Sequence, residues 1–405
     1  MKILVVCQYY YPEPFRITDI CEALVNKGHN VTVLTGLPNY PEGKVLEDYR
    51  QGKRRKEVIN GVRVIRSSIL GRGNSKVTLF LNYVSFVISA SLQVMLMKEK
   101  FDVVFVNQLS PVLMAIPAIL YKKIHKRKIL LYCLDLWPAS LAAGGLTEKS
   151  IVYKIFLNIS RWIYTSVDQI LVTSKMFFHY FDEILKIDLN NIKHLPQYAE
   201  EDIFGKNVKA QSAKSDLFKF NFVFAGNIGD LQSVDTIVKA ANELKSHQHI
   251  VLHIVGDGSK LSWCKQLSEE LNLNNVFFHG RRPLQEMPQL YAMADAMLVT
   301  LKDNPILSYT LPGKVQSYMA AGKPIIGAIN GEARLVIEEA QCGLCCPAED
   351  YRGLSNLINE FINLGNKDRM AHNALNFYNT HYSKNGFIAI LEQALMDLED
   401  TSYVQ

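Results

Sequence analysis

The chain has 405 residues, 48% of them hydrophobic and 20% charged, more than one compact core holds and suited to two or three domains. Its 23 glycines and 14 prolines exclude collagen-like and low-complexity classes. The formal net charge of +5 hides an asymmetry: residues 1–200 carry 26 Lys/Arg against 16 Asp/Glu, or +10, and the remainder carries 18 against 23, or −5. A basic half implies a surface that meets something anionic.

Seven cysteines, an odd number in a long chain without a disulfide-like framework, read as reduced thiols of a cytosolic protein. Cys342 and Cys345 form a C-x-x-C, but no second pair stands at zinc-ribbon spacing, so buried structural thiols are expected. The opening run Met1-Lys-Ile-Leu-Val-Val6 is too short for a secretory signal and reads as a strand.

In chain order, β-rich apolar runs fall at residues 2–7, 31–35, 62–66, 102–106, 128–133 and 168–172, with helical stretches between them. This is the pattern of a parallel sheet with crossover helices. The first helix presents Ile20, Ala23, Leu24 and Val25 before a stop at Gly28. After a polar, lysine-containing segment at 199–216 the pattern restarts at 221–225, 250–255, 275–279, 296–300, 323–327 and 344–346. Two α/β domains follow, with function expected in the loops after the strands.

The first such loop, Cys7-Gln-Tyr-Tyr-Tyr-Pro-Glu-Pro-Phe-Arg16, has no glycine for a dinucleotide fingerprint. The second domain instead offers Ala225-Gly-Asn-Ile-Gly-Asp230 and Gly256-Asp-Gly258, where the backbone can approach a ligand, a bare glycine turn being the competing reading. Residues 77–97 hold no charge and are long enough to span a bilayer. Thr78, Asn82, Ser85, Ser89 and Gln93 nevertheless mark one helical face. That stripe favours a helix buried in the domain or lying partly in a membrane interface. Lys53-Arg-Arg-Lys56, Lys76, Lys122, Lys123, Lys126, Arg127 and Lys128 lie beside apolar stretches, which favours peripheral attachment to an anionic membrane surface.

The second half then carries Phe278-His-Gly-Arg-Arg-Pro283, Tyr291-Ala-Met-Ala-Asp295 and Leu311-Pro-Gly-Lys-Val-Gln-Ser-Tyr-Met-Ala-Ala-Gly-Lys-Pro324. The first half carries Gln8-Tyr-Tyr-Tyr-Pro-Glu-Pro14, Gly28-His29, Thr35-Gly-Leu-Pro-Asn-Tyr-Pro41, Leu109-Ser-Pro111 and Asp135-Leu-Trp-Pro138. In this order they resemble the family-4 retaining glycosyltransferases. The resemblance is closest to bacterial O-antigen and capsule members that use N-acetylated amino sugars, including the N-acetylfucosaminyltransferase group.

The resemblance implies an α/β GT-B fold of two Rossmann-like domains facing across a cleft: an acceptor-binding, membrane-associating domain over 1–198 and a nucleotide-sugar domain over 199–384. A terminal helix over 385–405 would return to the first domain, and Phe387, Ile388, Ile390, Leu391, Ala394, Leu395 and Leu398 supply an apolar stripe at the right spacing. The implied reaction moves an N-acetylated (6-deoxy)hexosamine from a UDP-sugar to a polyprenyl-diphosphate-linked saccharide in O-antigen or capsule synthesis. It would run at the inner face of the bacterial cytoplasmic membrane, with no cofactor, metal or nucleic acid. A UDP-sugar epimerase and a non-catalytic nucleotide-sugar-binding scaffold are the alternatives.

A departing diphosphate needs cations or N–H groups aimed at it. Where many family members place Arg and Lys in the loop after the second domain's first strand, this chain has Asn227 and Gln232. The family's paired glutamates fall on Tyr309 and Ser317. Lys314, at the start of a helix, is the expected replacement cation, and Arg281 and Arg282 are further candidates. Gly226, Asn227, Gly229 and Gly256 complete the donor loops, Ser308, Tyr309 and Thr310 the sugar pocket, and Gln316 and Ser317 the ribose contacts. On the acceptor side Asp135 is expected either as a base or as the residue that orients the Trp137-Pro138 turn. Glu13, Arg16, Asn39, Gln108 and Ser110 are the acceptor contacts.

Overall fold

In a computed structural model of the chain, residues 1–73, 75–143, 145–204 and 219–400 are described. The chain divides into two compact units, Met1–Leu195 together with the chain from Ile388 onward, and Pro196–Phe387. Most of the polar segment expected between the domains lies outside the described residues, as does the end of the expected terminal helix.

The first unit holds an eight-stranded sheet of β1 (Lys2–Val6), β2 (Asn30–Gly36), β3 (Lys56–Ile59), β4 (Val62–Ser67), β5 (Val103–Gln108), β6 (Lys128–Cys133), β7 (Gln169–Val172) and β8 (Ile192–His194). Their order is β3-β4-β2-β1-β5-β6-β7-β8. All neighbours are parallel except β3, which runs antiparallel to β4. β3 and β8 are the strands that the apolar pattern misses. β3, Lys-Glu-Val-Ile, opens on two charged residues in a basic segment and is nowhere fully buried, and β8 has three residues, so neither carries the buried run of a central strand.

The second unit holds β9 (Phe220–Ala225), β10 (Ile250–Val255), β11 (Val276–Gly280), β12 (Ala296–Thr300), β13 (Ile325–Ala328) and β14 (Gly343–Cys346). They lie in the order β11-β10-β9-β12-β13-β14, all parallel. Counted within the unit this is the 3-2-1-4-5-6 order of the Rossmann fold. Both faces are buried, as a parallel sheet with crossover helices requires. Phe222 and Phe224 join Leu252, Ile254 and Leu298 in one core. Val223 and Ala225, one residue out of phase, join Val255, Met297 and Tyr318 in the other.

The helix Lys76–Leu96 is capped by Ser75 and Thr78, whose side chains and backbone bond reciprocally. Its polar stripe faces inward. Asn82 accepts from Gln8 Nε2 at 2.7 Å and donates to Leu70 O at 2.6 Å. Ser85 Oγ accepts from Leu70 N, Ser89 Oγ donates to Ser68 O, and Gln93 Nε2 donates to Arg66 O. At the other end of the chain, the helix Lys384–Asp400 buries Leu391, Ala394 and Leu395 while Ile390 is exposed. Its Glu392 binds Lys27 at 3.1 Å and His29 at 2.9 Å. All seven cysteines are free, and burial pushes the Cys342 and Cys345 thiols up to about 12, so the C-x-x-C offers no thiolate near neutrality.

Candidate functional site

In the second unit the strand order reverses at β9, with β10 on one side and β12 on the other. Open α/β sheets bind ligands outside the carboxyl ends of their strands at such a point. A cavity of about 730 Å³ opens there. Ala225, Gly226 and Asn227 after β9 line it, with Val255 to Gly258 after β10, Arg281 to Leu284 after β11, and Lys314 and Ser317 from the helix Gly313–Ala320.

The first two of these loops touch. Gly226 and Gly256 have φ of +150° and +141°, a backbone region that only glycine adopts readily. A Cβ on Gly256 would stand 1.8 Å from Gly226 O, and one on Gly226 would stand 3.0 Å from Lys314 Nζ. Tyr318 locks the end of β9 by donating to Ala225 O and accepting from Ala225 N, each at 3.0 Å.

Lys314 is the second residue of its helix, whose N-cap is Pro312. Its ammonium is buried without a hydrogen-bond partner among the described residues and sits 3.9 Å from the centre of the Phe224 ring. Burial lowers its pKa to about 7. A buried cation with no counter-charge is costly, and here it lies at the exposed N–H groups of a helix start, where an anion is favoured. Asn227 and Gln232, which stand where the resemblance would place loop cations, bond to each other, Asn227 Nδ2 donating to Gln232 Oε1 at 3.1 Å. Nearby Lys260 and Lys302 are both engaged by Asp230. Arg281 and Arg282 are exposed on the cavity wall, with Arg282 3.7 Å from Glu286.

Several expected donor contacts are spent elsewhere. Ser308, Tyr309, Thr310 and Gln316 do not line the cavity. Ser308 Oγ donates to Asn304 O and Thr310 Oγ1 to Leu307 O, the local back-bonding with which hydroxyls compete for a helical turn. Gln316 is buried and donates to Gln197 O. Gly229 lies behind Asn227, its N–H donating to Gln232 Oε1, and is not on the lining. Ser317 is on it, although its hydroxyl donates to Gly313 O at 3.2 Å.

In the first unit most acceptor candidates are internal junctions. Asn39 is fully buried; its Oδ1 accepts from Arg72 N and Asn82 Nδ2, and its Nδ2 donates to Leu37 O. Glu13 accepts from the N–H groups of Tyr10, Asn39 and Tyr40, while burial pushes its carboxyl up to about 7. Gln108, also buried, donates to Leu109 O and Asp135 O and accepts from Tyr164. These side chains hold the loops after β1, β2 and β5 rather than presenting free polar atoms to an acceptor.

Asp135 accepts from Ser110 N at 3.1 Å, and Ser110 Oγ in turn accepts from Trp137 Nε1 at 2.8 Å. The geometry is that of the turn-orienting alternative. Burial still raises the Asp135 pKa, which favours a proton on that carboxyl. Arg16 stands at the start of the helix Ile17–Asn26, half-buried.

Residues 15–196 match a glycosyl transferase 4-like domain, and residues 206–376 match the glycosyl transferases group 1 domain. Each model covers under half of the chain, and they follow one another along it. Both halves of the chain are therefore similar to glycosyltransferase domains. A probable glycosyltransferase, WbjE, of Pseudomonas aeruginosa is 27% identical over 262 residues, 62% of this chain and 64% of that protein, so the similarity spans less than two thirds of the relative. A putative colanic acid biosynthesis glycosyl transferase, WcaI, of Escherichia coli K12 is 25% identical over 80% of this chain and 82% of its own. Among solved structures, Anabaena HepE in complex with UDP-glucose superposes with a TM-score of 0.70 at 16% identity, over 98% of this chain and all of that one. Similarity of this kind to solved glycosyltransferases shows the GT-B fold, each unit being Rossmann-like.

The cavity has residues that sequence reasoning passed over. Pro283, Leu284 and Met287 form an apolar wall, and Glu200 comes from the start of the second unit, ahead of its first strand. The wall follows directly from Phe278-His-Gly-Arg-Arg-Pro283, so extending that motif by one helical turn would have found it. No signal marks Glu200.

The lowered Lys314 pKa makes a pH prediction for a diphosphate bound in this cavity. A bound diphosphate raises it again, so above about pH 7 binding must take up a proton. Affinity for a UDP-sugar, whose diphosphate does not titrate in this range, is then flat below that pH. Above it, affinity falls by up to about ten-fold per pH unit. Calorimetry with UDP-N-acetylglucosamine in buffers of different ionisation enthalpy checks this: proton uptake should be near zero at about pH 6 and approach one at about pH 8.5. Equal uptake at both would take Lys314 away from the diphosphate.

Proposed function

We propose that this protein is a retaining, metal-independent glycosyltransferase. It moves an N-acetylated hexosamine, or its 6-deoxy form, from a UDP-sugar to a polyprenyl-diphosphate-linked saccharide in bacterial surface-polysaccharide synthesis. The observation that carries the reading is the cavity at the β9 switch point, where an unpartnered lysine lies directly behind two touching glycine turns. It is suited to a nucleotide diphosphate. The similarity to WcaI, a putative colanic acid biosynthesis glycosyl transferase, and to HepE, solved in complex with UDP-glucose, supports the pathway class and the nucleotide. The N-acetylated sugar rests on the order of motifs shared with the O-antigen and capsule group.

In this reading an acceptor hydroxyl oxygen bonds to the anomeric carbon as the bond from that carbon to the diphosphate oxygen breaks. The hydroxyl proton passes to the departing diphosphate on the same face. Lys314 and the N–H groups of the helix Gly313–Ala320 stabilise the charge that develops there. Arg281 and Arg282 flank the nucleotide, and the first unit takes the acceptor, at the inner face of the cytoplasmic membrane.

Incubation with a panel of UDP-sugars, with and without a lipid-diphosphate-linked saccharide, tests this. UDP release that requires the acceptor, a matching mass gain on it, and turnover unchanged by a chelator are expected. An altered sugar without acceptor would instead mean epimerisation. Tight UDP-sugar binding without turnover would mean a scaffold.

A further inference from the structure

The helix Lys76–Leu96 is inverted for a surface helix. With Asn82, Ser85, Ser89 and Gln93 bonded inward, its outer face is left with Val77, Leu81, Ile88, Leu92, Met95 and Leu96, from 44% to 81% exposed. Spacings of four, seven, four and three put the first five on one side of the helix. No charged residue stands between Lys76 and Lys98. A contiguous apolar face of this kind marks a contact.

Charge selects the occupant. Lys76 at one end and Lys98 and Lys100 at the other are exposed, and Glu99 between the latter two is held by Arg63. The helix Ile151–Ser166 repeats the arrangement with exposed Ile151, Ile155 and Trp162 beside exposed Lys149 and Lys154. Both helices contact the helix Ile116–His125. A two-fold dimer through this face would bring its own lysines together, whereas an anionic bilayer takes apolar side chains beneath and lysines at the level of its phosphates.

We propose that the helix Lys76–Leu96 seats the first unit on an anionic lipid bilayer as an in-plane helix. It is long enough to cross, but crossing would strip Asn82, Ser85, Ser89 and Gln93 from the backbone groups of residues 66–70 and leave both sides unpaired. The seat deepens the membrane part of the proposed function and rests on that reading, while its test reads lipid binding alone.

Flotation of the full chain with phosphatidylcholine vesicles, with and without phosphatidylglycerol, is the experiment. Wild-type protein should float with the anionic vesicles and much less with the neutral ones. The double variant Ile88→Glu/Leu92→Glu should lose about ten-fold or more of that partitioning, with an unchanged circular dichroism spectrum and unchanged UDP-sugar binding. Lys98→Gln/Lys100→Gln should show a smaller loss that added salt reproduces in the wild type.

Wild-type flotation by the double glutamate variant would overturn the proposal. So would retention of the wild type after carbonate extraction, which indicates insertion across the bilayer. A wild-type dimer that ignores vesicles and is dissolved by the same double variant would hand the face to a second copy. Loss of transfer activity with vesicle binding intact would count against the reaction and leave the seat standing.

Discussion

Replacing Lys314 by methionine should weaken UDP-sugar binding about 30- to 300-fold, roughly 2–3.5 kcal/mol, and at the same time make the protein more stable. Both effects have one cause. The Lys314 ammonium is buried over the Phe224 ring with no acceptor among the described residues, so the folded protein carries a desolvation cost that a bound diphosphate relieves. Methionine fills similar space without the charge, and a gain of about 1–3 kcal/mol in unfolding free energy is expected. The sign with pH is fixed. The folded pKa of about 7 lies below the ordinary lysine value of 10.5, so between these the unfolded chain binds more protons and wild-type stability rises with pH. The variant's advantage is therefore greatest below about pH 7 and fades toward 10.5. Denaturant unfolding at two pH values, with calorimetry of UDP-N-acetylglucosamine, reads both effects. Unchanged affinity would remove Lys314 from the donor site.

Gly256→Ala should damage both stability and binding. The new Cβ would fall 1.8 Å from the Gly226 carbonyl oxygen, a backbone atom with no side chain to swing aside. The φ of +141° at this position adds its own strain. The turn also carries bonds that must move with it, Gly256 N to Gly280 O at 2.9 Å and Gly226 N to Val255 O at 3.0 Å. Steric and conformational costs together come to about 3–5 kcal/mol, or a fall of about 10 °C in Tm for a unit of this size. UDP-sugar binding should drop below detection, because all three loops that form the cavity are displaced. A variant that melts and binds like the wild type would mean that the turns relax without cost.

The fold was legible in the sequence because parallel strands buried on both faces leave continuous apolar runs. Where a strand is an edge, as in Lys56–Ile59, or only three residues, as in Ile192–His194, that mark is missing. The glycines of the donor loops were legible for a related reason: close approach of backbone to backbone leaves room for no other residue. Hydroxyls and amides were not. Ser308 and Thr310 look free on paper and bond to their own helical turns. Asn39 meets a partner 43 positions away in Asn82, and no local pattern announces such a pairing. Lys314 was legible as a cation by position, while its burial and lowered pKa belong to Phe224 and Gly226, which the tertiary fold brings to it.

The return of the last helix has a consequence for how the chain is made. The segment from Ile388 belongs to the unit that begins at Met1, with Glu392 clasping Lys27 and His29. A chain emerging from the ribosome presents its N-terminal residues first, yet this unit must wait for its final helix until Pro196–Phe387 has been synthesised. The unit that starts first is completed after the other, and a chain cut within the helix Lys384–Asp400 would be deprived of part of its first unit rather than its second.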